Sequence, residues 1–351
     1  LCEKINEVMM YNIALIGCGR ISKNHFESIN QLSNDLKLVA VCDIIEERAR
    51  AAGEKYGVDW YTDYDKMLER DDIDIISICT PSGLHPEHGI KAAQKGIHVI
   101  SEKPMAISLA GADALIKACD DNKVQLFVVK QNRLNTTSQL LKRAVDKGRF
   151  GKIYMAQTNV FWQRPQEYYS QAKWRGTWEF DGGSFMNQAS HYVDALLWLL
   201  GPADHVMAET ATMARKIETE DTGSAIIKFR NGTIGTINVT MLTYPKNFEG
   251  SITILGEKGT AKLGGVAINK IEKWEFEDYD DDDRLVHEAN YNPPNIYGLG
   301  HLPYYKNVIA VLNGAEEANT DGRSGRKSLE LIIAIYKSAQ TGQKVALPLK
   351  L

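Results

Sequence analysis

The chain has 351 residues, enough for two domains with separate hydrophobic cores. Hydrophobic residues make up 44% of it and charged residues 25%, a composition typical of globular proteins rather than disordered or fibrous ones. The net charge of −4 argues against a dedicated nucleic-acid surface. No apolar run approaches the roughly 20 residues of a membrane-spanning helix, so neither nucleic acid nor a membrane is predicted as a partner.

The amino-terminal segment shows no apolar core of a secretion signal. Met9 and Met10 are both candidate natural starts, so residues 1–9 are left out of the fold prediction. The five cysteines form no CxxC pair and have no metal-ligand spacing to a histidine. We therefore expect reduced thiols in a cytoplasmic protein.

Residues 11–131 alternate strand and helix patterns with short turns. Strands are predicted at Tyr11–Ile16, Leu36–Cys42, Ile73–Cys79, His98–Ser101 and Gln125–Lys130, and helices at 20–33, 45–56, 84–95 and 108–121. Near-continuously apolar strands separated by helices indicate a parallel sheet that is covered on both faces. We therefore predict an α/β Rossmann domain with a doubly wound parallel sheet over residues 1–131.

From residue 132 to residue 351 the strands become longer and more alternating. After a helix at Thr136–Lys147, strands are predicted at 152–163, 204–213, 222–230, 233–242, 250–255 and 259–263, and helices near 191–199, 303–313 and 325–340. Turn sequences at Asn231-Gly232 and Glu257-Lys258-Gly259 indicate hairpins. This half is predicted to be an α+β domain with a mostly antiparallel open sheet. The acidic run Asp278–Arg284 is predicted as a solvated loop, and residues 291–295 as a loop on the substrate side.

A glycine turn follows the first predicted strand. In Gly17-Cys18-Gly19 the missing Cβ atoms let the backbone turn and approach a phosphate at the amino end of a helix. Ser22 takes the third position of this fingerprint, where Gly or Ala is usual. Asp43 ends the second strand, where a carboxylate accepts from ribose hydroxyls and repels a 2′-phosphate, which favours NAD over NADP. Capping of the following helix is a second role for Asp43 that does not exclude the first.

Two more strands end in polar segments, Thr80-Pro81-Ser82 and Ser101-Glu102-Lys103-Pro104. Ligands bind at this edge of an open parallel sheet, so Lys103 is expected to point into the same crevice as the glycine turn. The Lys103–Pro104 bond is a candidate for the cis form. His85 and His88 have no third ligand nearby, and no metal site is predicted.

The segment Gly182–Asp194 places Asn187, His191 and Asp194 at spacings of four and three, on one face if the segment is helical. Because imidazole titrates near neutral pH, His191 is a candidate proton acceptor. The alternative is a core histidine that Asp194 satisfies.

Together these motifs resemble those of the glucose–fructose oxidoreductase/inositol dehydrogenase (Gfo/Idh/MocA) family. The resemblance rests on segments at 17–20, 80–82, 102–104, 182–191 and 321–330, and it covers nearly the whole chain from residue 11. It implies an NAD-dependent dehydrogenase, and tetramers are common in that family. Asn187 stands where much of the family has Asp, and Asn cannot transfer a proton, so this task falls to His191 or Lys103.

Further segments at 130–133, 160–165, 174–178, 186–191 and 241–247 resemble one branch of the family. That branch oxidises the C3 hydroxyl of UDP-N-acetylglucosaminuronic acid (UDP-GlcNAcA) on a route to sugars of bacterial O-antigen lipopolysaccharide. The implied reaction moves a hydride from C3 to NAD⁺. His191 is the favoured base, because its unperturbed pKa is about 6.5 against about 10.4 for Lys103. Lys103 is expected to orient the hydroxyl and stabilise charge on its oxygen, or to serve as the base instead.

The predicted cofactor site comprises Gly17, Gly19, Arg20, Ile21, Asp43, Thr80, Pro81, Ser82, His85, Glu102, Lys103 and Gln131. The predicted substrate site comprises Lys103, Arg164, Tyr168, Trp174, Arg175, Asn187, His191, Tyr244, Lys246 and Asn247. Its Arg and Lys side chains are predicted to bind the diphosphate and the carboxylate of the substrate, and its aromatic side chains to offer ring surfaces to it.

Two alternatives remain open. A sibling enzyme acting on inositol or another sugar is one, although Arg164, Arg175 and Lys246 weigh against a neutral substrate. A non-catalytic NAD-binding regulator is the other, and it would have no need for both Lys103 and His191. If the cofactor stays bound between turnovers, a second substrate such as a 2-oxo acid is expected to reoxidise NADH.

Overall fold

The computed structural model describes residues 9–292 and 298–350, which form two compact units. The first unit contains residues 9–105, 110–129 and 301–323, and the second contains 106–109, 130–292, 298–300 and 324–350. Each unit is therefore assembled from separate stretches of chain. A division into 1–131 and 132–351, as predicted, assigns 301–323 to the second domain, whereas these residues pack in the first unit. Most of the predicted loop at 291–295 lies outside the described residues.

The first unit is built on a six-stranded parallel sheet in the order β3-β2-β1-β4-β5-β6. Its strands are β1 (Tyr11–Ile16), β2 (Leu36–Cys42), β3 (Asp59–Tyr61), β4 (Ile75–Ile78), β5 (His98–Ser101) and β6 (Leu126–Val128). Its connecting helices are α1 (Ser22–Gln31), α2 (Glu46–Tyr56), α3 (Tyr64–Met67), α4 (His85–Gln94) and α5 (Leu109–Asp121). The predicted Rossmann-type sheet is confirmed, and the chain reverses its direction of winding between β1 and β4.

This reversal decides where a ligand can bind in the first unit. The carboxyl ends of β1 and β4 lie side by side, with Ile16 paired to Ile78. In open parallel sheets the crevice outside such a switch point is the ligand site. Gly17 follows β1 directly, and Thr80 follows β4 after one residue, so both predicted cofactor segments lie at the switch point.

The second unit contains an eight-stranded sheet in the order β13-β12-β11-β7-β10-β9-β8-β14. Its strands are β7 (Ile153–Phe161), β8 (Ala203–Ala211), β9 (Thr222–Phe229), β10 (Ile234–Thr240), β11 (Glu249–Gly256), β12 (Gly259–Gly264), β13 (Lys270–Phe276) and β14 (Val345–Ala346). Its helices are α6 (Thr136–Asp146), α7 (Gln166–Ser170) and α8 (Ser190–Leu200). The closing helices of the chain are α9 (His301–Leu312), which belongs to the first unit, and α10 (Gly322–Thr341).

The second sheet is mostly antiparallel, as predicted, and β7 with β10 is its parallel pair. Its strands alternate between buried and outward residues. In β9, for example, Ala225, Ile227 and Phe229 are buried, whereas Ser224 and Ile226 are exposed. This period of two is the pattern of a sheet with one face packed on the core and one face open.

The acidic run Asp278–Arg284, predicted as a solvated loop, has no buried residue, but it is more regular than a loop. Asp281–Leu285 forms a short 3₁₀ helix, and Asp280 caps it by accepting from the backbone N–H of Asp282. The acidic side chains pair with cations of α6 and of the segment before β7: Asp280 with Lys147 at 2.7 Å, Asp282 with Arg143 at 3.1 Å and Asp283 with Arg149 at 2.6 Å. The partners lie more than 130 residues earlier in the chain, where local patterns do not reveal them.

The structure also bears on the predictions about membrane-spanning helices and cysteines. In the ranges 9–292 and 298–350, no helix is both long and apolar enough to cross a bilayer. The described cysteines are free thiols, with Cys42, Cys79 and Cys119 buried and Cys18 half-buried. Burial raises the pKa of Cys42 and of Cys119 to about 12, so these thiols stay protonated at neutral pH and pack as small apolar side chains.

Candidate functional site

The glycine turn of the first unit is fixed by close backbone packing and by a side-chain hydrogen bond. Gly17 has a φ of +93°, and a Cβ on it would lie 2.6 Å from the carbonyl carbon of Cys79. The Ser22 hydroxyl, buried at the start of α1, donates to the Gly19 carbonyl at 2.7 Å. Ser22 therefore closes the turn rather than only being tolerated in the third position of the fingerprint.

Gly17 and Gly19 are expected to respond differently to the same substitution. Gly17→Ala creates strain and a clash with the backbone of Cys79 and Thr80, just after β4, so the free energy of unfolding should fall by on the order of 1–3 kcal/mol. A Cβ on Gly19 meets no described atom within 4 Å, so Gly19→Ala should keep wild-type stability. It should nevertheless weaken NADH binding, because the methyl group occupies the space predicted for the pyrophosphate. Urea denaturation and NADH titration test the pair, and loss of stability in Gly19→Ala would contradict this interpretation.

Asp43 lies beside the glycine turn and is buried. One carboxylate oxygen accepts from the backbone N–H of Cys18 and the other from that of Ile45, both at 2.9 Å. Asp43 thus ties the turn to the start of α2, which is close to the capping role considered from the sequence. A carboxylate retains further lone pairs after these two bonds, so ribose binding by Asp43 stays a prediction.

The segment after β4 is held by two histidines. The His85 ring nitrogens lie 2.8 Å from the carbonyl oxygens of Thr80 and Pro104, and His88 Nδ1 lies 3.0 Å from the Thr80 hydroxyl. Burial lowers the pKa of His85 and lowers that of His88 to about 4, so both are neutral at physiological pH. His85, predicted as a cofactor contact, therefore bridges the loops that follow β4 and β5.

Lys103 follows β5 and is half-buried. Its backbone N–H donates to the Glu102 carboxylate at 3.0 Å, and its peptide bond to Pro104, a candidate for the cis form, is cis. Glu102 was predicted as a cofactor contact, but its carboxylate also lies 3.0 Å from His25, a residue that the sequence interpretation missed. The remaining predicted cofactor residues of the first unit lie along the same edge: Arg20 (exposed), Ile21 and Pro81 (half-buried) and Ser82 (buried).

These observations meet the requirements of a dinucleotide. The turn offers a glycine whose Cα faces open space in the described chain, the amino end of α1 and an acidic residue at the tip of β2. Gln131, in the second unit, is 2% exposed, and its Oε1 has no hydrogen-bond partner in the described part of the chain. Such an orphaned acceptor suits a ligand amide or hydroxyl.

In the second unit, the helix predicted near 191–199 corresponds to α8, and a separate helical turn precedes it. Ser184–Gln188 forms a π-helical turn, with the Ala189 N–H donating to the Ser184 carbonyl at 2.9 Å, and α8 begins at Ser190. Asn187 thus lies in the π turn, while His191 and Asp194 share α8, so the single helix that would place all three on one face is not formed. Single π turns of this kind are frequent at functional sites. His191 is 9% exposed.

Asn187 belongs to a network that also holds Arg164. The Asn187 amide donates to the Asp181 carboxylate and accepts from Gln188 at 3.3 Å. Arg164, 8% exposed, donates to Gln188 at 3.0 Å and to Asn247 at 3.2 Å. The structure therefore brings three of the predicted substrate residues, Arg164, Asn187 and Asn247, into one hydrogen-bonded group.

Aromatic rings surround the two predicted arginines. The Arg164 guanidinium lies 5.4 Å from the Tyr168 ring, and that of Arg175 lies 4.2 Å from the same ring and 5.5 Å from the Trp174 ring. Within the described residues, the buried Nε of Arg175 has no hydrogen-bond partner. Tyr244, 92% exposed, and Lys246 lie on an exposed loop, so their predicted substrate contacts have no support from local packing.

Asp194, one turn after His191 on α8, anchors this helix. Its carboxylate accepts from Arg133 in two bonds of 2.7 Å and from Ser328 at 2.8 Å, and it lies 3.9 Å from Lys130. Burial alone raises the pKa of Asp194, but Lys130 and Arg133 outweigh burial and lower it. The described contacts of Asp194 thus fix α8 to the segment after β6.

Glu220, which the sequence interpretation missed, lies beneath the π turn. It is 3% exposed, and Oε1 accepts from the Phe185 N–H at 2.8 Å and from the Tyr336 hydroxyl at 2.9 Å. Among the described residues Oε2 has no partner, and a Cβ on Gly183 would lie 2.0 Å from it. Burial raises the pKa of Glu220 to about 7, against the lowering by its hydrogen bonds. An isolated Glu before an alternating strand gives no local signal of this burial.

The raised pKa of Glu220 predicts a pH dependence of stability. Between pH 4.5 and about 7 the folded chain keeps a proton that the unfolded chain loses, so the free energy of unfolding falls as pH rises through this window. Above it, the ionised side chain costs up to about 3 kcal/mol. Glu220→Gln should match the wild type at pH 4.5 and exceed its stability at pH 8, as measured by urea denaturation. Parallel curves for the two proteins across this range would exclude the proposed titration.

Comparison with known families matches both units. A model described as "Oxidoreductase family, NAD-binding Rossmann fold" matches residues 11–130, and one described as "Oxidoreductase family, C-terminal alpha/beta domain" matches residues 142–347; both belong to the Gfo/Idh/MocA group. Among curated relatives, a D-apiose dehydrogenase of Paraburkholderia graminis is 26% identical, over 97% of this chain and 90% of its own. A myo-inositol 2-dehydrogenase of Thermotoga maritima is also 26% identical, over 95% and 98% of the two chains.

Two solved structures are more similar. The WlbA dehydrogenase from Bordetella pertussis, in complex with NADH and UDP-GlcNAcA, is 54% identical with a TM-score of 0.95, over 97% of this chain and 99% of its own. The WlbA dehydrogenase from Chromobacterium violaceum, in complex with the same two ligands, is 52% identical with a TM-score of 0.94, over 100% and 99% of the two chains. These matches agree with both the broad and the narrow resemblance inferred from the sequence motifs.

Proposed function

This chain belongs to the Gfo/Idh/MocA oxidoreductase family, and on that premise we propose that it oxidises the C3 hydroxyl of UDP-GlcNAcA to the 3-keto sugar with NAD⁺. The observation that carries the proposal is the 54% identity to the Bordetella dehydrogenase, which binds NADH and UDP-GlcNAcA, over almost the whole of both chains. NAD⁺, when bound, supplies the acceptor for a hydride. The remaining chemistry falls to side chains of this protein.

His191 and Lys103 share the proton transfer in this proposal. The 3-hydroxyl must lose its proton as the hydride leaves C3, and a neutral imidazole at position 191 is suited to accept it. The Lys103 ammonium stabilises negative charge on the same oxygen. Asn187 cannot take a proton, so its role is to hold the sugar, and its bonds to Asp181 and Gln188 fix the direction of its amide.

The arginines and their aromatic neighbours are proposed to bind the acidic parts of the substrate. Guanidinium groups match carboxylate and diphosphate oxygens, and stacking on tyrosine leaves the guanidinium donors in fixed directions. The orphaned Nε of Arg175 is a donor that a substrate oxygen would satisfy. Together with Arg164, Trp174 and Tyr168, it supports an anionic substrate over inositol. Tyr244, Lys246 and Asn247 complete the proposed substrate contacts, the first two from an exposed loop.

A substrate panel tests this proposal. The purified protein, mixed with excess NAD⁺, should show an NADH absorbance increase with UDP-GlcNAcA in a single turnover. UDP-N-acetylglucosamine lacks the carboxylate and should react much more slowly, and myo-inositol should not react. A signal with myo-inositol but not with UDP-GlcNAcA would assign the sibling activity. Silence with every polyol, combined with tight NADH binding, would favour the regulator.

The open face of the second sheet supports a homotetramer. Met155, Met207, Ile226, Ile234 and Leu255 are exposed on β7 to β11, so an apolar strip is available to another copy of the chain. Light scattering of the purified protein measures its mass directly. The proposal has three further parts. The protein is located in the cytoplasm and acts in O-antigen lipopolysaccharide biosynthesis, and a 2-oxo acid reoxidises its NADH. NADH that is freely released between turnovers would remove the need for the 2-oxo acid.

A further inference from the structure

Behind Lys103, three buried residues of the first unit form a polar cluster, His25 on α1, Glu102 after β5 and His301 at the start of α9. The Glu102 Oε1 lies 3.0 Å from His25 Nε2 and 3.9 Å from His301 Nε2. The two imidazole rings meet edge to face, with centroids 5.3 Å apart. The functional roles assigned above use none of these imidazoles, so the cluster requires its own explanation.

Hydroxyl groups contact the cluster on the side of His25 that faces away from Glu102. His25 is fully buried, and its Nδ1 lies 2.8 Å from the Tyr305 hydroxyl and 3.1 Å from the Ser77 hydroxyl on β4. Both ring nitrogens of His25 are therefore engaged, and the ring cannot rotate without losing bonds on two sides. Such outer partners fix the orientation of a histidine and thereby the group that it contacts.

The charge of Glu102 is stabilised by this arrangement. Burial alone raises the pKa of Glu102, but the contacts with His25 and His301 outweigh burial and hold the pKa well below its usual range. A buried carboxylate is strongly disfavoured unless it is paired and hydrogen-bonded. The chain thus keeps an ionised carboxylate directly beside the predicted catalytic lysine.

Glu102 connects the cluster to the backbone of Lys103. Its second oxygen, Oε2, accepts from the Lys103 backbone N–H at 3.0 Å. On the other side of Lys103, the Pro104 carbonyl is held by His85 at 2.8 Å. The main chain that carries the lysine is therefore held from both sides, while its own side chain remains half-buried.

A metal site is the other arrangement that two histidines and a carboxylate suggest. Here the 3.0 Å between His25 Nε2 and Glu102 Oε1 is an ordinary hydrogen-bond distance, and Glu102 Oε2 is engaged by Lys103. A metal would have to break the first of these bonds and find its remaining ligands among neighbouring hydroxyl groups. Hydrogen bonds thus engage both ring nitrogens of His25 and both carboxylate oxygens of Glu102 without an ion.

We propose that His25 and His301 are positioning residues that act through Glu102 to fix the backbone of Lys103 and the direction of its ammonium group. The proposal deepens the function proposed above and rests on it, because it takes Lys103 as a contact of the reacting hydroxyl. Loss of the cluster should then lower kcat, since a displacement of about 1 Å at a reacting group costs up to about 10²-fold. Binding of NAD⁺ depends on the turn at Gly17 and should persist.

Three variants test this role through kinetics. His25→Leu removes the bond to Glu102 and should lower kcat by about 10–100-fold with the KM for NAD⁺ unchanged. His25→Gln keeps an N–H donor near Glu102 and should recover part of the loss. His98→Gln is the matched control, because His98 lies at the opposite end of β5, where it accepts from the Gln125 N–H, and it should leave kcat unchanged. With C3-deuterated substrate, the isotope effect on kcat should rise in His25→Leu alone.

A measurement independent of turnover separates this proposal from the proposed function. The rate at which a dilute acylating reagent modifies Lys103, relative to the exposed Lys23 and Lys37, can be read by peptide mass spectrometry in each variant. The ratio should change in His25→Leu and remain at the wild-type value in His98→Gln. If the wild type oxidises no UDP-sugar, the proposed function fails, and the labelling ratio still tests the positioning.

Two results would overturn the proposal. One is a His25→Leu protein, or His301→Gln if the first does not fold, with wild-type kcat and wild-type labelling of Lys103. The other is stoichiometric zinc in the purified wild-type protein that is lost in His25→Leu, which would make the cluster a metal site.

Discussion

Replacing either Lys103 or His191 by Ala is expected to lower kcat for UDP-GlcNAcA by on the order of 10²–10⁴-fold, the usual contribution of a positioned acid or base. Each variant loses one partner of the reacting hydroxyl, a proton acceptor at position 191 or a cation at position 103. NADH titration should show binding close to wild type in His191→Ala, because the predicted cofactor site is untouched there. Stopped-flow absorbance of NADH measures the chemical step directly.

Controls for these variants are available on the surface of each unit. Lys66 pairs with the exposed Glu69, and His205 pairs with the exposed Asp204, so Lys66→Ala and His205→Ala should retain wild-type turnover. Near-normal turnover in both Lys103→Ala and His191→Ala would refute the catalytic assignment. A large loss in only one of the two would identify the residue that serves as the base.

The largest expected effect on stability comes from Asp194→Asn. This change removes the buried carboxylate that pairs with the Arg133 guanidinium and the Lys130 ammonium, and breaking a buried pair in this way costs about 3–5 kcal/mol. Urea denaturation followed by circular dichroism should show the corresponding shift to lower denaturant concentration. Because Asp194 anchors α8, turnover should also fall, through a displaced His191.

The same substitution at an exposed site provides the comparison. Asp204→Asn removes a carboxylate that is largely exposed and pairs only with His205 among its described ion pairs, so the free energy of unfolding should change by less than about 1 kcal/mol. Equal destabilisation by Asp194→Asn and Asp204→Asn would show that the Asp194 network contributes no more than a surface pair.

Much of the first unit could be predicted from local patterns. The strands at Tyr11–Ile16, Leu36–Cys42 and His98–Ser101 agree with the structure residue for residue, because each is a short apolar run bounded by turn residues. The strand β3 was missed because its three residues are mostly exposed, and α3 was missed because four residues are too few to show a helical period. Placement of 301–323 in the first unit depends on contacts across nearly the whole chain.

Some residues of the candidate site could likewise be predicted from local patterns, and others could not. The glycine turn and Lys103 were visible because strand ends and special residues coincide there. Glu220 was missed, because its burial depends on Tyr336, 116 residues later. His25 could have been found, since it shares the buried face of α1 with Phe26 and Ile29, but a histidine on an apolar face gives no indication that its partners are Glu102 and His301. Pairings between distant segments are what local patterns do not contain.

In the proposed reaction, hydrogen moves from the sugar C3 to NAD⁺. UDP-GlcNAcA deuterated at C3, incubated with the protein and NAD⁺, tests it in one measurement. We expect a slower NADH burst than with unlabelled substrate, together with deuterium in the nicotinamide ring of the reduced cofactor by mass spectrometry. Formation of NADH without deuterium, or no reduced cofactor at all, would contradict the account.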